Sequence, residues 1–358
     1  MQTQTPIDFK QKPNRGNVRI MSIKAFISGC AGLQLSETEL RFFQDHQPWG
    51  FILFARNIND REQVLRLTDQ MRECVGRPDV PILIDQEGGR VQRLRPPNWY
   101  FYPPGRVLGQ LFESDQKKGR RAAWLHARLI ANDLCEIGVN VDCLPILDVP
   151  VASVHDAIGD RAYSSDAEIV GQIGEAVAEG LLAGGVLPII KHMPGHGRSV
   201  CDSHLDLPRV DTGLEELMAS DFKPFAKLNK TGMAMTAHII YEAIDENNPA
   251  TTSPKLVADI IRGKLGFEGL LISDDVSMNA LSGDYRTRAQ SIFGAGVDIV
   301  LHCNGEMEQM SEIAAVTPHL AGKALDRANA ALRPLKPAEK AEIKQLREEM
   351  EGLLSPFC

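Results

Sequence analysis

One stretch of the chain, K-H-M-P-G-H-G-R-S-V-C-D-S-H-L-D-L-P (191–208), concentrates titratable side chains: one lysine, three histidines and two aspartates. Two prolines and two glycines interrupt it, which is untypical of a core segment. Within it, Asp202 and His204 are alternate residues whose side chains can meet if the loop turns there. An aspartate beside an imidazole sets the tautomer and raises the basicity of the ring, so this pair can exchange a proton with a substrate.

Adjacent aspartates in S-D-D-V-S-M (273–278) supply a second reactive group, a carboxylate. Glycoside hydrolysis needs a proton donor and a second carboxylate, so either Asp274 or Asp275 is a candidate nucleophile. Neighbouring side chains in a strand point to opposite sides, and only one of the two is expected to face the site. Strand alternation alone leaves the choice open.

Two other chemistries compete for the same stretch. A metal-dependent hydrolase would use His192, His196, Asp202 and His204, because imidazole and carboxylate are ligands of zinc or manganese. Pro194 and Gly195 prevent the helix that would aim the first two histidines at one ion. A Schiff-base lysine at Lys191 would instead make an aldolase.

Eight short apolar runs must position these groups. They lie at 25–32, 50–56, 81–89, 138–148, 185–197, 232–240, 269–278 and 296–304. Their continuous apolar character favours parallel strands that are buried on both faces. Helical patterns lie between them, at 36–46, 60–74, 165–185 and 253–266. Ser36 followed by Glu39 is a capping-box pattern.

This alternation predicts an α/β fold, a single-domain (β/α)8 TIM-like barrel. No G-x-G-x-x-G follows the first strand, so a dinucleotide-binding fold has no support. We expect the barrel over residues 22–335. Residues 1–21 are expected to be a disordered or non-native tail, and residues 336–358 a C-terminal helix that packs on the barrel.

Active sites of such barrels lie at the carboxyl ends of the strands. The predicted ends carry Asp85 to Arg90, Asp148, Lys191-His192, His238, Asp274-Asp275 and His302. Glu87 is expected to hold its loop through backbone hydrogen bonds, and Asp148 to be a strand-end hydrogen bonder. His238 and His302 are expected to be structural.

Composition limits the partners. The chain has 358 residues and a formal charge of -8, without a basic stripe, so we expect no nucleic-acid partner. No apolar run approaches the length of a membrane helix, and the first residues do not resemble a signal peptide. Seven scattered cysteines without C-x-x-C are typical of a reduced protein. We therefore expect a cytoplasmic monomer that does not bind membranes.

Five motifs resemble those of bacterial glycoside hydrolase family 3 β-N-acetylglucosaminidases of the single-domain type used in peptidoglycan recycling. They are I-D-Q-E-G-G-R-V-Q-R (84–93), A-I-G-D-R-A-Y (157–163), K-H-M-P-G-H-G (191–197), D-S-H (202–204) and S-D-D-V-S-M (273–278). They occur in the order and at the spacing of that family. The resemblance covers roughly residues 22–335.

The resemblance implies a role for each matching residue. Asp274 would be the nucleophile, and His204 the general acid/base with Asp202 as its dyad partner. Residues that would bind the N-acetylglucosamine (GlcNAc) are Asp85, Arg93, Arg161, Lys191 and His192. His196 would lie behind them. No metal or cofactor is implied.

The function that this resemblance implies is a retaining exo-β-N-acetylglucosaminidase. Its substrate would be GlcNAc–anhydro-MurNAc, with or without a stem peptide. Three alternatives stay open: attack by the substrate's own acetamido group, the metal-dependent hydrolase, and a sugar-binding barrel without catalysis.

Overall fold

Eight parallel strands close into a barrel in the computed structural model, which describes residues 22–151, 158–199 and 207–357. The strands are β1 (Lys24–Ser28), β2 (Pro48–Leu53), β3 (Ile82–Ile84), β4 (Val141–Asp142), β5 (Leu187–Met193), β6 (Met233–Thr236), β7 (Leu270–Asp275) and β8 (Ile299–His302). They follow one another around the barrel in chain order, and β8 pairs with β1. Each predicted apolar run overlaps one strand, so the predicted barrel is confirmed.

Burial on both faces explains the continuous apolar runs. In β1, Ala25 and Ile27 pack with Ile189 and Ile272 in the interior of the barrel. Phe26, between them in sequence, belongs to the second cluster, which lies between the strands and the surrounding helices. Successive side chains of a strand thus enter two different cores, and neither face is left for polar residues.

Helices cover the outside of the barrel. They are α1 (Glu37–His46), α2 (Arg61–Val75), α3 (Gly105–Ser114), α4 (Gln116–Cys135), α5 (Ala167–Ala183), α6 (Leu214–Ala219), α7 (Lys223–Lys227), α8 (Tyr285–Gly294), α9 (Met307–Val316), α10 (Gly322–Leu332) and α11 (Ile343–Leu354). A π-helix spans Leu256–Lys264. The four helices predicted from sequence coincide with α1, α2, α5 and this π-helix. The capping box is confirmed: Ser36 Oγ accepts from the Glu39 N–H, and Glu39 accepts from the Ser36 N–H.

The last helix packs outside the barrel, against α4 and α3. Arg121 of α4 donates two hydrogen bonds, of 2.8 and 2.7 Å, to the carboxylate of Glu349 in α11. The proposed limits of the barrel at 21 and 335 stay predictions, and residues 1–21 lie outside the described ranges. Within those ranges, no helix is both long and apolar enough to cross a bilayer.

Two glycines of α3 let the segment that carries Arg161 approach the helix closely. A Cβ on Gly105 would lie 2.3 Å from the carbonyl oxygen of Arg161, and one on Gly109 would lie 1.6 Å from that of Tyr163. Real Cβ atoms do not approach backbone oxygens this closely. Either side chain would therefore push the helix and this segment apart.

We expect Gly109→Ala to lower the free energy of unfolding by about 1–3 kcal/mol, because the methyl group overpacks the contact with Tyr163. Gly352→Ala is the matched control in α11, where an added Cβ meets no atom within 4 Å. It should raise the free energy of unfolding by about 0.5–1 kcal/mol through helix propensity. Chemical denaturation of both variants measures the difference, and shifts of the same sign would contradict the packing.

Candidate active site

A cavity of about 280 Å³ opens at the carboxyl ends of the strands. Six of the residues predicted for the site line it: Asp85, Arg93, Arg161, Lys191, His192 and Asp274. They come from the ends of β3, β5 and β7 and from the loops that follow β3 and β4. The structure thus brings together every predicted site residue that it describes, at the end of the barrel where active sites form.

Five charged side chains form a connected cluster on one side of the cavity. Lys191 Nζ lies 2.7 Å from Asp85 Oδ1 and 2.7 Å from Glu87 Oε1. Arg93 Nη2 donates to Asp85 Oδ2 at 3.2 Å. Arg161 donates through Nε and Nη2 to both oxygens of Glu87, at 2.9 and 2.8 Å. Three cations and two carboxylates therefore share one network, in which Lys191 and Glu87 are buried and the other three are half-buried.

The pairing fixes the charge state of the cluster. Burial would raise the pKa of Asp85, but Lys191 and Arg93 outweigh it and hold the pKa well below its ordinary value. Burial would likewise raise the pKa of Glu87, but Arg161 and Lys191 lower it to about 2. Burial would lower the pKa of Lys191, but its two carboxylates hold it above its ordinary value. A Schiff-base lysine needs a depressed pKa, so this environment argues against the aldolase alternative.

Asp148 fixes the orientation of His192. Its Oδ2 lies 2.7 Å from His192 Nδ1, and its Oδ1 accepts from the backbone N–H groups of His192 and His196, at 3.1 and 2.7 Å. Burial would raise the pKa of Asp148, but the His192 imidazole and these hydrogen bonds lower it to about 2. The predicted hydrogen-bonding role of Asp148 is confirmed. The contact at Nδ1 fixes the orientation of the imidazole, which lines the cavity.

Both aspartates of the S-D-D motif line the cavity, which corrects the expectation that only one would face it. The register between β7 and β8 shifts between Ile272 and Asp275, and such a bulge changes the direction of the side chains. The two carboxylates nevertheless differ. Asp275 accepts from the backbone N–H groups of Ser277 and Cys303, whereas Asp274 accepts from the N–H of Asp275 at 2.8 Å.

Asp274 is ionised at neutral pH. Burial would raise its pKa, but the imidazoles of His238 and His192 and the amide of Asp275 outweigh it and lower the pKa. His238 itself has partners for both ring nitrogens, Thr251 Oγ1 at 2.7 Å and the Asp275 carbonyl at 3.0 Å. It is a structural histidine, as predicted. An ionised, half-buried carboxylate at a strand end, lining the cavity, is the state that a nucleophile requires.

The prediction for Glu87 was wrong. Its carboxylate binds two cations of the cluster, and the adjacent Gln86 holds the loop instead. Gln86 Oε1 accepts from the backbone N–H groups of Arg93 and Leu94, both at 2.9 Å. A charge count could have indicated this role, because Arg93, Arg161 and Lys191 place three cations at one mouth and a carboxylate close in sequence to Asp85 is a natural partner.

Two further residues in or beside the site were not singled out from the sequence. Asp142, the last residue of β4, is fully buried, and its Oδ1 accepts from the Gln86 N–H at 3.0 Å. Its Oδ2 has no hydrogen-bond partner among the described residues, and burial raises its pKa well above the ordinary value. Phe54 lines the cavity with its ring 5.2 Å from the guanidinium of Arg93, a cation–π contact.

The two remaining catalytic candidates, Asp202 and His204, lie outside the described residues. The described chain before them is firmly held: Arg198 Nε donates to the buried Asp221 at 2.8 Å, and Tyr241 donates its hydroxyl to the Gly195 carbonyl. The metal alternative needs both of these residues. Among the residues that the structure describes, no three histidine, cysteine, aspartate or glutamate side chains converge on a metal-binding position.

Comparison with known proteins identifies the family. Residues 19–332 match the glycosyl hydrolase family 3 N-terminal domain. The chain belongs to glycosyl hydrolase family 3. A relative from Bordetella parapertussis, named beta-hexosaminidase, is 36% identical over 330 residues, which cover 91% of this chain and 88% of the relative. The resemblance inferred from the five motifs is confirmed, and with it the class of enzyme, a glycoside hydrolase.

Solved structures agree with the family 3 assignment. Native NagZ from Neisseria gonorrhoeae superposes with a TM-score of 0.84 at 31% identity, covering 94% of this chain and 99% of NagZ. NagZ in complex with N-trifluoroacetyl-D-glucosamine gives a TM-score of 0.83 at 30% identity, with 93% and 98% coverage. A complex of the same NagZ with a zinc ion is also known.

Proposed function

We propose that this protein is a retaining exo-β-N-acetylglucosaminidase of cytoplasmic cell-wall recycling. It would release the non-reducing terminal β-linked GlcNAc from GlcNAc–anhydro-MurNAc, with or without a stem peptide. The observation that carries the proposal is that the ionised Asp274 lines the same small cavity as Asp85, Arg93, Arg161 and Lys191 of the charged cluster. The beta-hexosaminidase relative and the glucosamine derivative bound by NagZ support the choice of sugar.

The cavity supports recognition of one terminal sugar. Ligand pockets usually begin at about 300 Å³, so a cavity of about 280 Å³ favours a single sugar ring over a length of chain. The carboxylate of Asp85 can accept hydrogen bonds from sugar hydroxyl groups. Hydrogen bonds to hydroxyl and carbonyl oxygens of the sugar can be donated by Lys191, Arg93 and Arg161. His192, held by Asp148, adds one oriented ring nitrogen.

The reaction has two steps in this proposal. In the first, His204 donates a proton to the glycosidic oxygen while Asp274 attacks the anomeric carbon, so the glycosidic bond breaks and an ester forms. In the second, His204 removes a proton from a water molecule that attacks the same carbon and releases Asp274. Two inversions give net retention. Asp202 would hold the His204 tautomer for both steps.

Hydrolysis of an aryl β-GlcNAc glycoside, followed by NMR, tests the proposal. We expect the β-anomer of GlcNAc as the first product. The matched aryl β-glucoside, which lacks the acetamido group, should react at least about 10²-fold more slowly, because a site built for a polar group rejects analogues that lack it.

Exhaustive treatment with a chelator separates the proposal from the metal-dependent alternative. We expect kcat to stay within about twofold, since neither step uses a metal ion. Loss of activity that added zinc restores would favour the metal hydrolase.

In the NMR experiment, a first product with the α-configuration would contradict the glycosyl ester.

A further inference from the structure

We propose that Glu87 is a positioning residue: it holds Arg161 and Lys191 in the geometry that receives the terminal sugar. This inference rests on the proposed function, because it takes both cations as sugar-binding groups. Glu87 itself is not a reacting group. Both of its carboxylate oxygens are already bound, and its pKa of about 2 means that it has no proton to donate at neutral pH.

One carboxylate joins three separate elements. Glu87 lies in a β-hairpin after β3, formed by Gln86–Gly88 and Val91–Gln92. Arg161 lies in the 3₁₀ turn Gly159–Arg161 after β4, and Lys191 lies on β5. The side chains of Glu87, Lys191 and Arg161 are 5%, 2% and 16% exposed, so water has little access to the carboxylate that joins them. The relative position of the two cations therefore depends on Glu87.

Electrostatics makes this dependence strong. Arg161 and Lys191 carry like charges close enough for Arg161 to oppose the charge on Lys191. A buried charge that loses its partner is strongly destabilised. Arg161 has Glu87 as its one ion-pair partner among the described residues, whereas Lys191 also pairs with Asp85. Loss of the Glu87 charge would therefore release Arg161 first.

The backbone of Glu87 is fixed from the other side. Its carbonyl accepts a hydrogen bond of 2.8 Å from Nε2 of His126, a buried residue of α4. Burial lowers the pKa of His126 to about 4, so this anchor stays neutral and unchanged near neutral pH. Gly88 follows with φ of 106°, and a Cβ there would lie 2.2 Å from the Pro103 carbonyl. The backbone that carries the Glu87 carboxylate is thus held in place by its neighbours.

Glu87→Gln tests the proposal, because it removes the charge but keeps the shape. We expect kcat/KM for an aryl β-GlcNAc glycoside to fall by about 10²-fold, the cost of misplacing a binding group. KM should rise more than kcat falls, and the inhibition constant of free GlcNAc should rise with KM. A merely structural role would lower the number of active molecules and leave both constants unchanged, which would overturn the proposal.

Glu349→Gln is the matched control. Glu349 also pairs with an arginine through two hydrogen bonds, of 2.8 and 2.7 Å from Arg121, but on the exposed surface outside the cavity. We expect its constants to stay within about twofold of the parent, as is usual for an exposed ion pair. If Glu87→Gln does not fold, Glu87→Asp carries the same test, because the shorter side chain cannot span Arg161 and Lys191 together.

A double-mutant cycle with Arg161→Lys asks whether Glu87 acts through Arg161. We expect Glu87→Gln to cost at least about fivefold less in the Arg161→Lys background, since partners in one network are not additive. Equal costs in both backgrounds would overturn the proposal.

The inference can be tested separately from the proposed function. An aryl β-GlcNAc glycoside that the parent protein does not hydrolyse would refute the proposed function alone. The Nε–H NMR signal of Arg161, assigned with Arg161→Lys, would still decide the contact with Glu87. The Nε proton of Arg161 should exchange slowly with solvent in the parent protein and rapidly in Glu87→Gln. Equal exchange in both proteins would overturn the inference.

Discussion

Asp274→Ala is expected to lower kcat for an aryl β-GlcNAc glycoside by about 10⁴-fold or more, the scale of losing a covalent nucleophile. The melting temperature should change little, because among the described residues Asp274 accepts one hydrogen bond, from the adjacent Asp275 amide. Steady-state kinetics and thermal denaturation of the same preparation measure both effects.

Azide sharpens this test. A small anion can enter the space left by the Asp274 carboxylate and attack the anomeric carbon from the same side. We expect azide to restore turnover in Asp274→Ala and to give the α-glycosyl azide.

Asp275→Asn is the neighbouring control: it alters hydrogen bonds to Ser277 and Cys303, so its main cost should be in stability. Full activity in Asp274→Ala would refute the assignment of the nucleophile.

His204→Ala is expected to have an effect that depends on the leaving group. General acid catalysis contributes about 10²–10⁴-fold where the departing oxygen needs a proton. We therefore expect a loss of kcat/KM of that size for GlcNAc–anhydro-MurNAc, and a loss below about tenfold for a dinitrophenyl glycoside. The comparison uses kcat/KM because it reports the first irreversible step, before His204 acts as a base.

Equal losses with both substrates would argue against an acid role for His204. His319→Ala is a suitable control, because His319 lies exposed on the surface, where its ring is hydrogen-bonded to the Ser22 carbonyl. Asp202→Asn should show the leaving-group dependence of His204→Ala in a weaker form, since it leaves the imidazole but alters its tautomer.

The barrel could be predicted because its strands are buried on both faces. Where local geometry departs from a regular strand, the prediction was less accurate. The run 138–148 was predicted as one strand, but the regular pairing of β4 ends at Asp142. Pro145 has no N–H to donate, which interrupts the ladder. Pairing with β5 resumes beyond it, where the Leu147 N–H donates to the Lys191 carbonyl at 2.7 Å.

The candidate site was predictable as far as it depends on strand ends. Residues such as Lys191 and Asp274 follow from the rule that the carboxyl ends of parallel strands meet. The contacts of Glu87 do not, because they depend on where a hairpin turns relative to two elements that follow much later in the chain. The orientation of Asp275 depends on a register shift, which no local pattern encodes.

Capture of the glycosyl ester tests the central claim most directly. The protein would be incubated with a 5-fluoro derivative of 2-acetamido-2-deoxyglucosyl fluoride, which slows the breakdown of a glycosyl ester, and its peptides would then be mapped by mass spectrometry. We predict a label on the peptide that contains Ser273, Asp274 and Asp275, with fragmentation placing it on Asp274. No label, while an aryl β-GlcNAc glycoside is still hydrolysed, would contradict the account and favour the acetamido group or water as the nucleophile.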